Sequence, residues 1–136
     1  MTDAVNHPRH YNVHPSGVEC IDVIRDMCCD AANATKYVWR AWDKGNPVQD
    51  LDKARFYLED QLAHAETYRP HSADTTDKLL QVLCYEQNSM VQAFYLAMAH
   101  HNIQDAFSAV KALLAMEAWT PPTKLIATDN DNAADT

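Results

Sequence analysis

The chain has 136 residues, enough for one compact domain or one domain plus a short extension. Hydrophobic residues make up 47%, which excludes wholesale disorder, and the 2 glycines argue against a glycine-rich phosphate loop, a Rossmann turn and many-turned all-β folds. A net charge of −8, from 11 Lys+Arg against 19 Asp+Glu, makes duplex nucleic acid a poor partner, whereas a small phosphorylated ligand needs only a local basic patch.

Residues 1–15 read as irregular, with Pro8, Pro15 and the histidines His7, His10 and His14. Ser16-Gly17-Val18-Glu19 fits a capping box and predicts a first helix to about Met27 or Cys28, with Val18, Ile21, Val23 and Ile24 on its buried side. Asp30 is the expected cap of a second helix over about 31–44, which Gly45 ends. Asn46-Pro47-Val48-Gln49 starts a third, whose Leu51, Ala54, Leu58 and Leu62 recur at helical spacing to about Tyr68.

Arg69-Pro70-His71 breaks the chain. Leu79, Leu80, Leu83, Val91, Phe94 and Met98 predict a long fourth helix over about 75–100, with Asn88-Ser89 weakening its middle as a point where it could split. Asn102 is the cap of a fifth, whose stripe is Ile103, Ala106, Phe107, Val110, Leu113 and Leu114. The predicted fold is therefore all-α: a helical unit over 1–69 of about three helices, an αα-hairpin extension over 70–119, and a disordered acidic tail over 120–136. The apolar faces of the last helices predict a homo-oligomer, unless those faces close on one another within one chain.

The four cysteines, Cys20, Cys28, Cys29 and Cys84, form no CxxC pair and read as reduced, partly buried thiols. No apolar run reaches the ~20 residues of a membrane span, and no secretory segment opens the chain, so a cytoplasmic protein is expected. His100-His101 are poor metal ligands as helix neighbours, since a zinc helix uses histidines four apart.

The strongest local chemistry is on the second helix. Lys36, Arg40 and Lys44 stand four apart and fall within an arc of about 80°, with Asn33 inside it. Tyr37, Val38, Ala41 and Trp42 are assigned to the other side. Arg offers a planar fork for phosphate oxygens, Lys a mobile charge; a solvated helix face is the plain alternative. The opening Asn6-His7-Pro8-Arg9-His10-Tyr11-Asn12 concentrates groups that position a base or phosphate, or titrate near neutrality. Glu19 and Asp22, three apart, have the spacing to hold Mg²⁺ through water, although Glu19 is also the expected capping-box acid. Asp50 and Asp52 complement the dipole of the third helix, and Lys53 lies one turn on from Asp50.

Three stretches taken together carry a resemblance: Asn6-His7-Pro8-Arg9-His10-Tyr11, Gly17-Val18-Glu19-Cys20-Ile21-Asp22-Val23-Ile24, and Lys36-Tyr37-Val38-Trp39-Arg40-Ala41 followed by Asp50-Leu51-Asp52-Lys53-Ala54 and Tyr57-Leu58. Over about residues 6–62 the chain resembles the SaV-like family of small phage proteins, a domain also found in the nucleotide kinase of T-odd coliphages. It departs from that pattern at Cys28–Ala34, where an aromatic and a Gly-Asn pair are expected, and in the helical extension after residue 70.

The resemblance implies a phage protein acting on nucleotides in the host cytoplasm, with kinase activity on deoxynucleoside monophosphates and no glycine-rich loop. Carried over by position, His10, Tyr11, Glu19, Lys36, Tyr37, Arg40, Asp50 and Lys53 form the implied site. In an active member Lys36, Arg40 and Lys53 hold phosphates, and Glu19 with Asp22 or Asp50 holds Mg²⁺. His10 binds phosphate or shuttles a proton, and Tyr11 or Tyr37 stacks on the base. Arg9, Asn33 and Lys44 complete the expected nucleotide-binding set. Three other readings stay open: an all-α nucleotide pyrophosphatase, a counter-defence protein that sequesters a nucleotide signal, and an interaction module that inhibits a host protein. On the nucleotide reading, Arg40→Ala is expected to weaken binding while sparing stability.

Overall fold

The computed structural model describes residues 14–43 and 45–116. They form six α-helices: α1 (Cys20–Ile24), α2 (Cys29–Arg40), α3 (Pro47–Ala63), α4 (Ala73–Cys84), α5 (Ser89–Ala99) and α6 (Ile103–Leu114), with one 3₁₀ turn at Ala65–Thr67. No strand occurs among the described residues, so the all-α expectation holds. Arg9, His10, Tyr11, Lys44 and the acidic tail lie outside the described residues.

The start of the fold differs from the capping-box expectation. Ser16 does not open a helix; its Oγ accepts the Val18 N–H at 3.1 Å and meets His14 Nδ1 at 2.8 Å. Gly17, at φ 83°, closes this turn by donating to the His14 carbonyl. That left-handed conformation is cheap only for glycine. With the Ser16 hydroxyl engaged locally, α1 is delayed to Cys20 and Glu19 becomes its N-cap, with no side-chain cap bond.

Cys28, not Asp30, is the N-cap of α2, and Asp30 sits in the first turn. The helix ends at Arg40, four residues earlier than expected, and the chain turns through Ala41–Asp43 before Gly45 at φ 79°.

The third start is as expected. Asn46 Oδ1 accepts the Gln49 N–H at 3.2 Å and Pro47 takes the first helical position. α3 stops at Ala63, short of Tyr68, and the chain continues as the 3₁₀ turn.

The long fourth helix is two helices. The split falls where Asn88-Ser89 interrupts the pattern: Asn88 Oδ1 accepts the N–H groups of Met90 and Val91 at 2.8 and 3.1 Å and so caps α5. α4 has its own cap in Ser72, which accepts from Thr75 N–H. α5 ends in a Schellman turn. His101 N–H donates to Met98 O, Asn102 N–H donates to Ala97 O, and His101 takes φ 61°. Asn102 then caps α6 through Asp105 N–H, as expected.

α2 and α3 are an antiparallel hairpin, since Arg40 meets Asp50 while Tyr37 meets Tyr57 further along α3. α6 packs on α3 and α5, α4 packs on α5, and α1 bridges α2 and α4. All share one core. Val38, Leu51 and Leu58 from the first helices are fully buried with Phe94, Val110 and Leu113 from the last ones. Trp39 sets its ring edge-on to Tyr95 at 6.0 Å, tying α2 to α5. The apolar stripes of the last three helices are thus closed largely within the chain. Leu96, Tyr85 and Met116 stay exposed.

Candidate functional site

The α2–α3 hairpin brings three cations to one ring. Lys36 Nζ lies 4.7 Å from the centroid of Tyr37, Lys53 Nζ 5.3 Å and Arg40 Cζ 5.4 Å. All are within the ~6 Å range of cation–π attraction. Tyr37 stacks on Tyr57 of α3, with centroids 6.0 Å apart and planes 8° from parallel. Helical geometry produces this meeting. Lys36, Tyr37 and Arg40 follow i, i+1, i+4 on α2; Asp50, Lys53 and Tyr57 follow i, i+3, i+7 on α3.

The assignment of Tyr37 to the opposite side from the stripe is corrected. At about 100° per residue Tyr37 stands about 60° from Arg40, and its ring is the floor on which the stripe rests. Val38 and Ala41 do lie on the buried side.

The three cations are not equivalent. Arg40 Nε lies 3.4 Å from Asp50 Oδ2, with side chains 18% and 5% exposed. That distance is longer than a charge-assisted hydrogen bond, so the contact is an ion pair at the hairpin's closed end. Lys36 and Lys53 make no ion pair with a described carboxylate. By contrast Arg55, on the outer face of α3, is held by Asp52 at 2.8 Å and Glu59 at 2.9 Å. Lys36 and Lys53 are thus like charges converging on one ring, a local positive field in an acidic chain. An anion placed between them relieves their repulsion.

Glu19 is the N-cap residue of α1, Asp22 lies 3.5 Å from Arg25 at the C-cap of that helix, and Asp50 is engaged by Arg40. Among the described residues no group of three or more His, Cys, Asp or Glu is placed to hold a metal ion. Asn33 is on the stripe, but its Nδ2 donates to Cys29 O at 3.0 Å, back onto its own helix. His10, Arg9, Tyr11 and Lys44 lie outside the described residues.

Two aromatics complete the patch. Tyr57 lies in the stretch that carries the resemblance but was not among the expected site residues. Phe56 had no periodic signal as a site residue; it is 56% exposed and edge-on to Tyr57, centroids 5.2 Å apart at 84°.

Residues 5–59 match the DUF3310 family model. The family is described as a protein of unknown function. Lys36, Tyr37, Arg40, Asp50, Lys53, Phe56 and Tyr57 all fall inside the DUF3310 segment, whereas α4, α5 and α6 lie beyond it. No curated protein matches the chain, and no solved structure does.

Other polar clusters serve the packing around the DUF3310 segment. His14 Nε2 meets Glu86 Oε2 at 2.7 Å, both groups buried, and pins the start of the described chain to the α4–α5 turn. Its Nδ1 meets Ser16 Oγ, but that hydroxyl is buried and already accepts Val18 N–H, so the row of three is a staple. Asp26 accepts from Ser72 N–H, Ser72 Oγ and Thr75 Oγ1, and these bonds hold its carboxyl down at about 2. Desolvation, reinforced by the Asp60 carboxyl, pushes Asp30 up to about 6. Two cavities of about 390 and 450 Å³ flank the α5–α6 turn and share His100 and Asn102; neither includes a residue of the Tyr37 cluster. No helix among the described residues is long and apolar enough to cross a membrane.

Proposed function

We propose that this protein binds a nucleotide or a nucleotide-derived molecule at the Tyr37 cluster, with its phosphate between Lys36 and Lys53. The observation that carries the reading is the convergence of three cations on one tyrosine ring, two of them without an ion-pair carboxylate among the described residues. The phage setting and the kinase chemistry implied by the SaV-like resemblance belong to the same proposal, as does sequestration of a nucleotide signal. Mg²⁺ enters only with turnover.

One experiment separates these. The full chain is incubated with a nucleotide panel, with and without Mg²⁺, and the mixtures are read by mass analysis. A phosphorylated product indicates a kinase; intact retained ligand indicates a sequestering protein. Neither outcome with any nucleotide overturns the reading. Lys36→Ala should weaken binding roughly ten- to a hundred-fold, the scale of one charge-assisted contact. Self-association is proposed through the exposed Leu96, Tyr85 and Met116, and a monomeric mass by light scattering at micromolar concentration overturns it.

A further inference from the structure

Cations alone recognise any anion, so a nucleotide site needs a second element that recognises the base. Three rings run outward from the cation cluster: Tyr37, then Tyr57 stacked on it, then Phe56 edge-on to Tyr57. Tyr37 and Tyr57 are half-buried, and Tyr37 is crowded by charge. Phe56 is exposed over more than half its surface, and its ring meets that of Tyr57 edge-on. A single exposed apolar side chain is ordinary. What distinguishes Phe56 is its position three residues from Lys53, on neighbouring sites of one helix, about 5–6 Å apart at Cβ. That is the scale separating a nucleotide's phosphate from its base.

We propose that Phe56 is the stacking platform for the base of a ligand whose phosphate lies between Lys36 and Lys53. The inference rests on the nucleotide reading and adds a ligand class: nucleoside phosphates recognised by charge and stacking, with little preference among bases. A phenyl ring carries no hydrogen-bonding group to read a base edge, and every base has a face to stack. Asn33, the amide on the stripe, has its donor turned back to Cys29 O.

The test is calorimetric titration of the full chain with inorganic pyrophosphate and with nucleotides of all four bases. The variants are Phe56→Ala, Phe56→Trp and Lys36→Ala, with urea midpoints to confirm folding. Phe56→Ala should weaken every nucleotide by roughly 5- to 150-fold, the range of one base–aromatic stack. It should leave pyrophosphate affinity within about two-fold, and Phe56→Trp should retain nucleotide binding. Lys36→Ala should weaken pyrophosphate and nucleotides alike.

If Phe56→Ala binds nucleotides like the wild type while Lys36→Ala does not, the base lies elsewhere: the platform falls and the nucleotide reading stands. A preference above about ten-fold among bases, or nucleotide binding with no pyrophosphate binding, also overturns the platform as argued. If the wild type binds no nucleotide, both readings fall.

Discussion

Arg40→Ala should destabilise this protein, contrary to what its place on a solvent-facing stripe suggested. Asp50 is almost fully buried, and the Arg40 guanidinium faces it at 3.4 Å. Removing one partner of a buried ion pair typically costs about 3–5 kcal/mol, because the other charge is left in a poor dielectric. Arg40 is 18% exposed and the contact is long, which lowers the expectation to about 2–3 kcal/mol. In a domain of this size that is a fall in Tm of about 7–14 °C. Lys36→Ala, lacking such a partner, should stay within ~0.5 kcal/mol of the wild type. Urea unfolding of the full chain reads both. The decisive variant is the pair Arg40→Ala/Asp50→Asn, which removes the stranded charge and should recover at least about 1 kcal/mol over Arg40→Ala alone. An Arg40→Ala protein as stable as the wild type, or a double variant no better than the single, refutes the argument. It follows that lost nucleotide binding in Arg40→Ala would mix stability with affinity, and Lys36 is the cleaner probe of the ligand.

Two carboxyls should give stability opposite pH dependences in different windows. Asp30 is raised from 3.8 to about 6, so its contribution is full below about pH 3.8 and is lost as pH rises through 6. Asp30→Asn should abolish that loss and melt no lower than the wild type at pH 7; a lower melt would mean that the charged form is the one the fold favours. Asp26 is lowered from 3.8 to about 2, so its contribution is present above about pH 3.8 and is lost as pH falls through 2, a loss that Asp26→Asn should remove. At the end of α5, His101→Gly should be more stable than His101→Ala by about 1–2 kcal/mol, since both lose the Tyr68 hydroxyl contact but only glycine sheds the left-handed strain. Equal stabilities by urea unfolding would show that the turn relaxes.

Helix starts were readable where the capping side chain had no rival partner. Asn46 and Asn102 both accept from the residue three further on, as the sequence predicts. Ser16 failed because His14 and Gly17 offered a tighter local turn, and His14 is held there by Glu86, 72 residues away. No local pattern contains that partner. Asn88 was visible as a disturbance, but deciding between a weak interior and a cap needed the turn geometry of α4's end. The site was legible one helix at a time. Lys36 and Arg40 show by spacing on α2, and Lys53 by its place in the motif, whereas their meeting on Tyr37 depends on how α2 packs against α3. Phe56 was out of reach because exposure, not periodicity, marks it.

The DUF3310 segment carries the cation cluster, yet it should not fold without the helices that follow it. Leu51 and Leu58 of α3 are fully buried in a core that also holds Val110 and Leu113 of α6, and Trp39 of α2 rests on Tyr95 of α5. Polar ties run the same way. His14 meets Glu86, Gln81 Nε2 donates to Ser16 O, and Asp26 takes three hydrogen bonds from Ser72 and Thr75. Cutting after residue 69 exposes one side of α3 and the whole Trp39 contact. It also removes the buried partner of His14 and the three hydrogen bonds that Asp26 accepts. A unit of ~60 residues buries only about 60% of its chain surface and has little stability to lose. The fragment 1–69 should therefore show weak helicity, no cooperative urea transition and no nucleotide binding. A fragment 1–69 that unfolds cooperatively and binds nucleotide would mean that the hairpin holds its own cluster, and that α4–α6 are an addition rather than the other half of the core.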